Sequence, residues 1–208
     1  MSITPKVNTP PGPAVAAVDS AVLGRVINTD VLLADRGGTS CAERMLVFSI
    51  IRLLAPETVL EVGVSGGGAT CWIAAALEAN RKGHLLSVDN WSGTHGGIAD
   101  SEELAAQRLK KHRLRHRVDF HQANSHTYLP TLASNSYDLV VIDGDHSEAG
   151  AAIDVRAALR IASGFVLVHD TWQMPEVRKV CQSIGGGCFI DGHRGYWLWS
   201  VRQAQEAK

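Results

Sequence analysis

Six kinds of position in this chain have both the residue type and the spacing for chemistry. Glu61 is followed by glycine at 63, 66, 67 and 68, with Ser65 between them. Asp89, Asp143 and Asp170 each stand directly after, or one residue after, a short run rich in Val, Leu and Ile, and His146 and His169 lie close to two of them. Glycine accepts positive φ and lets a ligand approach the backbone, and a helix starting beyond it offers free N–H groups to polar or anionic ligand atoms. That chemistry is a nucleotide-type site. Glycine-rich turns also join strands to helices for geometric reasons alone, so discrimination falls to the rest of the chain. No Gly-Lys-Ser/Thr ending follows the glycines, which disfavours a phosphate-cradling hydrolase. The spacing 63, 66, 68 also departs from G-x-G-x-x-G. Asp89, some twenty residues beyond the glycines at a strand end, is placed to accept bonds from ribose hydroxyls. A strand-ending aspartate that merely caps a turn is the plainer reading.

These groups need strands and helices to bring them together, and the pattern supplies both. Val59–Val62 is a short apolar strand, and Cys71–Leu77 has the Ala-rich character of a buried helix. His84–Val88, Val118–Gln122, Tyr137–Asp143 and Gly164–Val168 read as further strands. Between them lie helical stretches at 101–112 and 149–159. Upstream, Thr39 or Ser40 caps a helix through Leu54, with Glu43 placed for a capping box and Pro56 beyond its end. Asp19–Ala34 permits another helix. Pro175–Ile184 fits a last one, and Cys188–Ile190 with Gly195–Val201 forms a closing antiparallel pair. The fold expected is α/β, a Rossmann-like doubly wound, mostly parallel seven-stranded sheet with a C-terminal antiparallel hairpin. Three strands then end in carboxylates on one edge.

Composition sets the remaining bounds. A chain of 208 residues that is 45% apolar can bury a core in one domain. Residues 17–208 are read as that domain, and the proline-rich residues 1–16 as a flexible arm. The formal net charge of −1 gives no field to attract nucleic acid or an anionic membrane, so neither is an expected partner. The basic run from Arg108 to Arg117 lacks interleaved aromatics and reads as a solvated face. Four cysteines without a C-x-x-C pair point to reduced thiols. With no transmembrane-length run and no signal-peptide core, a cytoplasmic location is expected.

With these motifs in order, the chain resembles class I S-adenosylmethionine-dependent methyltransferases from about Thr58 to Val201. Glu61-Val62-Gly63 with Gly66-Gly67-Gly68 is similar to the cofactor motif of catechol-type, cation-dependent O-methyltransferases. Val88-Asp89-Asn90-Trp91-Ser92-Gly93, Ile142-Asp143-Gly144-Asp145-His146-Ser147 and Val168-His169-Asp170-Thr171-Trp172 resemble the subfamily of sugar O-methyltransferases and cephalosporin-hydroxylase-like proteins. The resemblance implies S-adenosylmethionine as cofactor, with Glu61 and Gly63 beside its methionine part, Asp89 at the ribose, and Ser125 with His126 at the adenine. Ser65, Gly66, Gly67, Asn90, Trp91 and Asp143 complete the expected cofactor site. It also implies a divalent cation on Asp143, Asp170 and either His169 or Thr171. A histidine there departs from the hard-cation pattern and allows a softer metal than Mg²⁺, or none. His146 stands where the catechol-type enzymes carry a lysine base, and an imidazole suits removal of a hydroxyl proton. His95 and His169 are the substitutes for that role. The expected reaction is O-methylation of a small-molecule hydroxyl acceptor of a natural-product or antibiotic pathway, with a homodimer allowed. Trp91, Trp172, His95, Tyr196 and Trp197 are candidates for an aromatic acceptor pocket. The rivals are a nicotinamide-dependent oxidoreductase, which shares the sheet and the ribose acid, and a catalytically silent cofactor-binding relative.

Overall fold

The computed structural model describes residues 40–92 and 101–201, with Ser101 described by its backbone alone. The expected arm at 1–16, the helix at Asp19–Ala34 and His95 lie outside the described residues.

Helix α1 (Cys41–Leu54) starts where the sequence says it should. Ser40 is extended at φ −72° and ψ 161°, its hydroxyl accepts the Glu43 N–H, and the Glu43 carboxylate accepts the Ser40 N–H at 2.8 Å. Two otherwise orphaned helix-end donors are thereby satisfied. The helix stops at Ala55, which turns left-handed at φ 45° ahead of Pro56.

From there the chain alternates: β1 (Thr58–Val62), α2 (Gly68–Asn80), β2 (His84–Asp89), α3 (Ser101–Lys111), β3 (Val118–Gln122), α4 (Ser125–Tyr128), β4 (Tyr137–Ile142), α5 (Glu148–Ile161), β5 (Ala162–His169), α6 (Pro175–Ile184), β6 (Cys188–Ile190) and β7 (Tyr196–Ser200). They form one seven-stranded sheet in the order β3-β2-β1-β4-β5-β7-β6, with β1 to β5 parallel and β7 antiparallel to both its neighbours. This is the expected fold. The strands are continuous in Val, Leu and Ile because both faces are covered. On one face Val47, Ile51, Trp72, Ile73 and Leu109 pack against Val59, Leu139 and Leu167. On the other, Val155, Ala158, Val177 and Cys181 pack against Leu60, Val140 and Val166.

The strand order turns back at β1, with β2 on one side and β4 on the other, and ligands of such sheets lodge beyond the strands' carboxyl ends at that point. Register decides which residues meet there. Val62 pairs with both Val88 and Ile142, and Ile142 with Val168, so Gly63, Asp89, Asp143 and His169 are the residues that leave the four central strands.

Three local readings change. The link after Val118–Gln122, given no helix from sequence, begins with a helical turn, because the Asn124 side chain accepts the His126 N–H at 2.9 Å and caps it. The basic run is more than a solvated face: Arg108 bonds the Gly66 carbonyl, Arg115 the Val118 carbonyl, and Arg117 the Glu78 carboxylate at 2.7 Å. Tyr196 and Trp197 are core residues, 2% and 0% exposed, and not parts of an aromatic pocket. All four cysteines are free thiols. Among the described residues no helix is long and apolar enough to cross a membrane.

Candidate active site

The glycine turn is built as a socket around its neighbours. Gly63 has φ +88°, and a Cβ there would lie 2.0 Å from the Asp143 carbonyl oxygen, so only glycine lets β1 leave the sheet against β4. Gly67, at φ +77°, is closed by α3, whose Ala105 Cβ would stand 2.6 Å from an added Cβ. Gly66 faces Leu104 and Arg108 in the same way. The absence of side chains at 66 and 67 therefore seats α3 on the turn, a packing role that glycine spacing alone did not reveal. Ser65 sits between at φ +49°, exposed.

Asp89 ties that turn to β2. Its Oδ2 accepts the Val64 and Ser65 N–H groups at 2.8 and 3.0 Å, and its Oδ1 accepts the Trp91 N–H at 2.8 Å. The carboxylate thus shapes the loop that precedes α2 and the one that follows β2. Asn90 caps the latter by accepting the Ser92 N–H at 2.9 Å, and the Trp91 ring meets Phe120 edge-on at 5.7 Å.

Glu61 lies beneath the turn, 1% exposed. Its Oε2 accepts hydroxyl bonds from Ser87 at 2.7 Å and Thr70 at 2.8 Å, while Oε1 is buried without a hydrogen-bond partner. Burial pushes its pKa up to about 8, against the two hydroxyl bonds and with the Asp143 and Asp89 charges adding to the rise.

The fourth and fifth strands deliver the charged cluster. His169, 3% exposed, holds Nδ1 2.9 Å from Asp143 Oδ1 and 3.5 Å from Asp170 Oδ1, and Nε2 3.2 Å from Glu43 Oε1. The Tyr196 ring, its register partner on β7, lies 4.6 Å from the imidazole. Burial disfavours the charged ring, but the Asp143 charge and the bonds to Asp143 and Glu43 outweigh it and raise its pKa to about 10. His146 Nε2 stands 3.4 Å from Asp143 Oδ1 and 3.1 Å from Asp170 Oδ2, and the bonds to Asp143 and Asp170 raise its pKa to about 9. The candidate base is therefore held above the ordinary imidazole range. Asp143 is held well below the carboxylate range, burial being overcome by the two imidazoles. Asp170 is completely buried at a backbone φ of +63°, with Arg194 Nη1 3.6 Å away, and neither of its oxygens has a hydrogen bond of good geometry. Ligand atoms of Asp143, His169 and Asp170 all lie within 4.8 Å of one another.

Ser125 and His126 open α4 at a neighbouring point of the same edge. His126 Nε2 is 3.8 Å from Asp145 Oδ2 and 3.8 Å from Asp154 Oδ1, and burial raises the pKa of the fully buried Asp154 carboxyl. Trp172, two residues beyond Asp170, is 57% exposed and has the Arg178 guanidinium 5.6 Å from its ring.

One participant was missed from sequence. Glu43 was read only as half of a capping box, yet it is 95% buried and also accepts the Arg194 N–H at 3.0 Å. Its pKa falls to about 2, because the bonds from His169 and Ser40 overcome burial. The signal available was a capping box whose acid precedes the first strand by a single helix, and nothing in it says which way that helix lies across the sheet.

The comparisons meet this geometry at the same place. A family model described as a methyltransferase domain matches residues 60–171, from β1 to the turn after β5. The chain belongs to the methyltransferase domain family. A catechol O-methyltransferase of Mycobacterium tuberculosis is 30% identical over 158 residues, 76% of this chain. The chain spans 62% of that relative's length. Among solved structures, the cofactor-bound protein Rv0187 from MTB superposes with a TM-score of 0.67 at 22% identity, covering 88% of each chain. The O-methyltransferase TomG of Streptomyces achromogenes, which is involved in tomaymycin synthesis and was solved with SAM, gives 0.62 at 21% identity over 86% of this chain and 88% of its own. These likenesses are of fold, and each covers more of the chain than the 60–171 match.

Proposed function

We propose that this methyltransferase-family chain is an S-adenosylmethionine-dependent O-methyltransferase acting on a hydroxyl of a small natural product. The observation that carries it is a pair of sites on one strand edge: a glycine turn with buried Glu61 and loop-tying Asp89, and beside it a cluster of acids and imidazoles at Asp143, His146, His169 and Asp170. The first suits a nucleoside with a cationic amino-acid tail, the second an acceptor that must lose a proton. The glycine spacing, which departs from G-x-G-x-x-G, disfavours a nicotinamide-dependent oxidoreductase.

The residues fit the cofactor. Glu61 Oε1, buried without a hydrogen-bond partner, is the acceptor an ammonium group would satisfy, and Asp89 with Ser65, Asn90 and Trp91 would border the ribose. Gly63, Gly66 and Gly67 keep the turn close to the sheet, and Ser125 with His126 would take the adenine end. Bound there, the cofactor supplies an electrophilic methyl group on a positively charged sulfur. The acceptor oxygen forms the new bond to that methyl carbon as the carbon–sulfur bond breaks and its electron pair returns to sulfur. In its neutral form His146 takes the hydroxyl proton, with Asp143 and Asp170 at its Nε2 stabilising the imidazolium that results. A divalent cation also fits. Asp170 offers two buried oxygens without hydrogen bonds of good geometry, with His146 Nε2 3.1 Å from one of them, and Asp143 and His169 lie within reach of the same point. Held by Asp143, Asp170 and His169, a cation would lower the pKa of an acceptor hydroxyl.

The test is transfer of a labelled methyl group from the cofactor to a panel of phenols, catechols, sugars and natural-product alcohols, with and without chelator. Cofactor binding by calorimetry with no transfer to any hydroxyl would favour the catalytically silent reading. Failure to bind the cofactor or its demethylated product would end the proposal.

A further inference from the structure

Glu43 precedes residues 60–171, where the family match lies, and its position in the cluster has a specific chemical consequence. Its Oε2 is occupied by the Ser40 N–H and hydroxyl at 2.8 and 2.7 Å, with His193 Nδ1 at 3.2 Å. Its Oε1 accepts from the Arg194 N–H at 3.0 Å and stands 3.2 Å from His169 Nε2. With both oxygens engaged on this outer side, Glu43 faces the ring and not the Asp143–Asp170 space. The imidazole is fixed between β5 and Tyr196, so its two nitrogens have assigned directions. Nε2 faces Glu43, so that once Nδ1 gives up its proton the remaining N–H donates to Glu43, and Nδ1 points at Asp143 Oδ1 and Asp170 Oδ1, 2.9 and 3.5 Å away.

A metal-binding imidazole that donates its other N–H to a carboxylate is the usual way a protein fixes the tautomer and orientation of such a ligand. We propose that Glu43 is a positioning residue that presents His169 Nδ1, together with Asp143 and Asp170, to a divalent first-row transition ion such as Mn²⁺, Fe²⁺, Co²⁺ or Zn²⁺, in preference to Mg²⁺. The inference rests on the cation reading above. Ligands about 2.1 Å from an octahedral ion stand roughly 3 Å apart along a shared edge, which the 2.9 Å from Nδ1 to Asp143 meets and the 3.5 Å to Asp170 would meet with a small closing movement. Mg²⁺ seeks oxygen alone, whereas an imidazole beside carboxylates suits the later ions. Neither oxygen of the completely buried Asp170 has a hydrogen bond of good geometry, although His146 Nε2 stands 3.1 Å from Oδ2, and its carboxylate is an independent ligand donor at the same point.

The experiment uses the full chain stripped of metal by chelator and titrated with zinc ion alone, read by calorimetry and by nitrogen NMR of ¹⁵N-histidine-labelled protein. Expected are one zinc per chain, bound more tightly than Mg²⁺, and a shift of His169 Nδ1, but not Nε2, to a metal-bound frequency. Glu43→Ala should weaken zinc binding by about 10- to 100-fold, and Glu43→Gln, which keeps an oxygen for Nε2–H, should recover part of that loss. Affinity for S-adenosylhomocysteine should change less than about twofold in either variant, since cofactor contacts lie at the Gly63–Gly67 turn. Zinc that leaves Nδ1 unshifted, tighter binding of Mg²⁺ than of zinc, or parental zinc affinity in both variants would overturn the proposal. The parent's NMR spectrum and Glu43→Gln decide the matter if Glu43→Ala does not fold. Loss of S-adenosylhomocysteine binding in the parent itself would strike the cofactor reading and leave the zinc result to stand or fall alone.

Discussion

A base must carry a free lone pair when its substrate arrives, and His146 meets that demand only above its raised pKa of about 9. At pH 7, two units lower, about one ring in a hundred is neutral. The methyl-transfer rate of the metal-stripped protein should therefore climb through pH 8 and 9 instead of levelling near 6.5. A positively charged neighbour such as a bound cation should draw the rise to lower pH, because it disfavours the imidazolium. His146→Ala should cost about 10²- to 10⁴-fold in turnover with cofactor affinity nearly unchanged. A rate profile identical in parent and variant would remove His146 from the reaction. Asp89 makes a separate demand. Since its carboxylate takes three backbone N–H groups, Asp89→Ala should weaken cofactor binding and also loosen the turn itself, for a loss of roughly 1–3 kcal/mol in binding accompanied by a lower melting temperature. Weakened binding at an unchanged melting temperature would show that the three backbone bonds are dispensable.

At the scale of elements, α1 and α3 do more than cover the sheet. The Ser40 hydroxyl both caps α1 and holds the Glu43 carboxylate, so Ser40→Ala should cost about 1 kcal/mol of stability, the usual worth of an N-cap, and also disturb Glu43. Denaturant unfolding measures the first effect and zinc affinity the second. Helix α3 lies on the glycine turn so closely that Gly67→Val must push Ala105 away as well as force a β-branched residue to positive φ. The variant should lose cofactor binding and stability together. Binding lost with stability intact would mean that the turn's open space, and not its packing on α3, is what glycine serves there.

The whole molecule answers to pH through the same cluster. His146 and His169 have folded pKa values of about 9 and 10 against an ordinary 6.5, so the stability they contribute is complete below 6.5 and is lost as pH rises through the folded values. Glu61, raised to about 8 from 4.5, acts in the same direction, losing its contribution between those values. Glu43, lowered to about 2, and Asp143 contribute above their ordinary values and lose that contribution in strong acid. The melting temperature should thus be highest near pH 4.5, where the acids are ionised and Glu61 is still neutral, and fall toward pH 10, more steeply above 6.5 where the imidazoles join in. Glu61→Gln, which cannot ionise, should remove part of the alkaline fall. A melting temperature that rose from pH 6.5 to 9 would contradict the cluster's assignment.

Much of this was written locally. The alternation of short Val- and Leu-rich runs with helical stretches, the Ser40–Glu43 capping box, the glycine turn and the acids at strand ends each depend on residues close in sequence. Fold class and the strand-edge positions of Glu61, Asp89, Asp143 and His169-Asp170 follow from them, because a parallel strand places its last residue at the carboxyl edge whatever surrounds it. What was not local needed the packed chain. Whether Tyr196 and Trp197 line a pocket or fill the core is decided by β7 lying against β5. That Gly66 and Gly67 seat α3, and that Asp89 reaches back to Val64 and Ser65, depends on contacts across 24 to 42 positions. The pKa of His146 could not be read from its type, since its sign and size come from two carboxylates on different strand ends brought within 3.4 Å. Glu43 is the clearest case. Its local pattern described one helix end completely, and only the path of α1 across the sheet brought the same carboxylate to His169, 126 residues away, because an acid with two oxygens can satisfy a cap with one and a distant ring with the other.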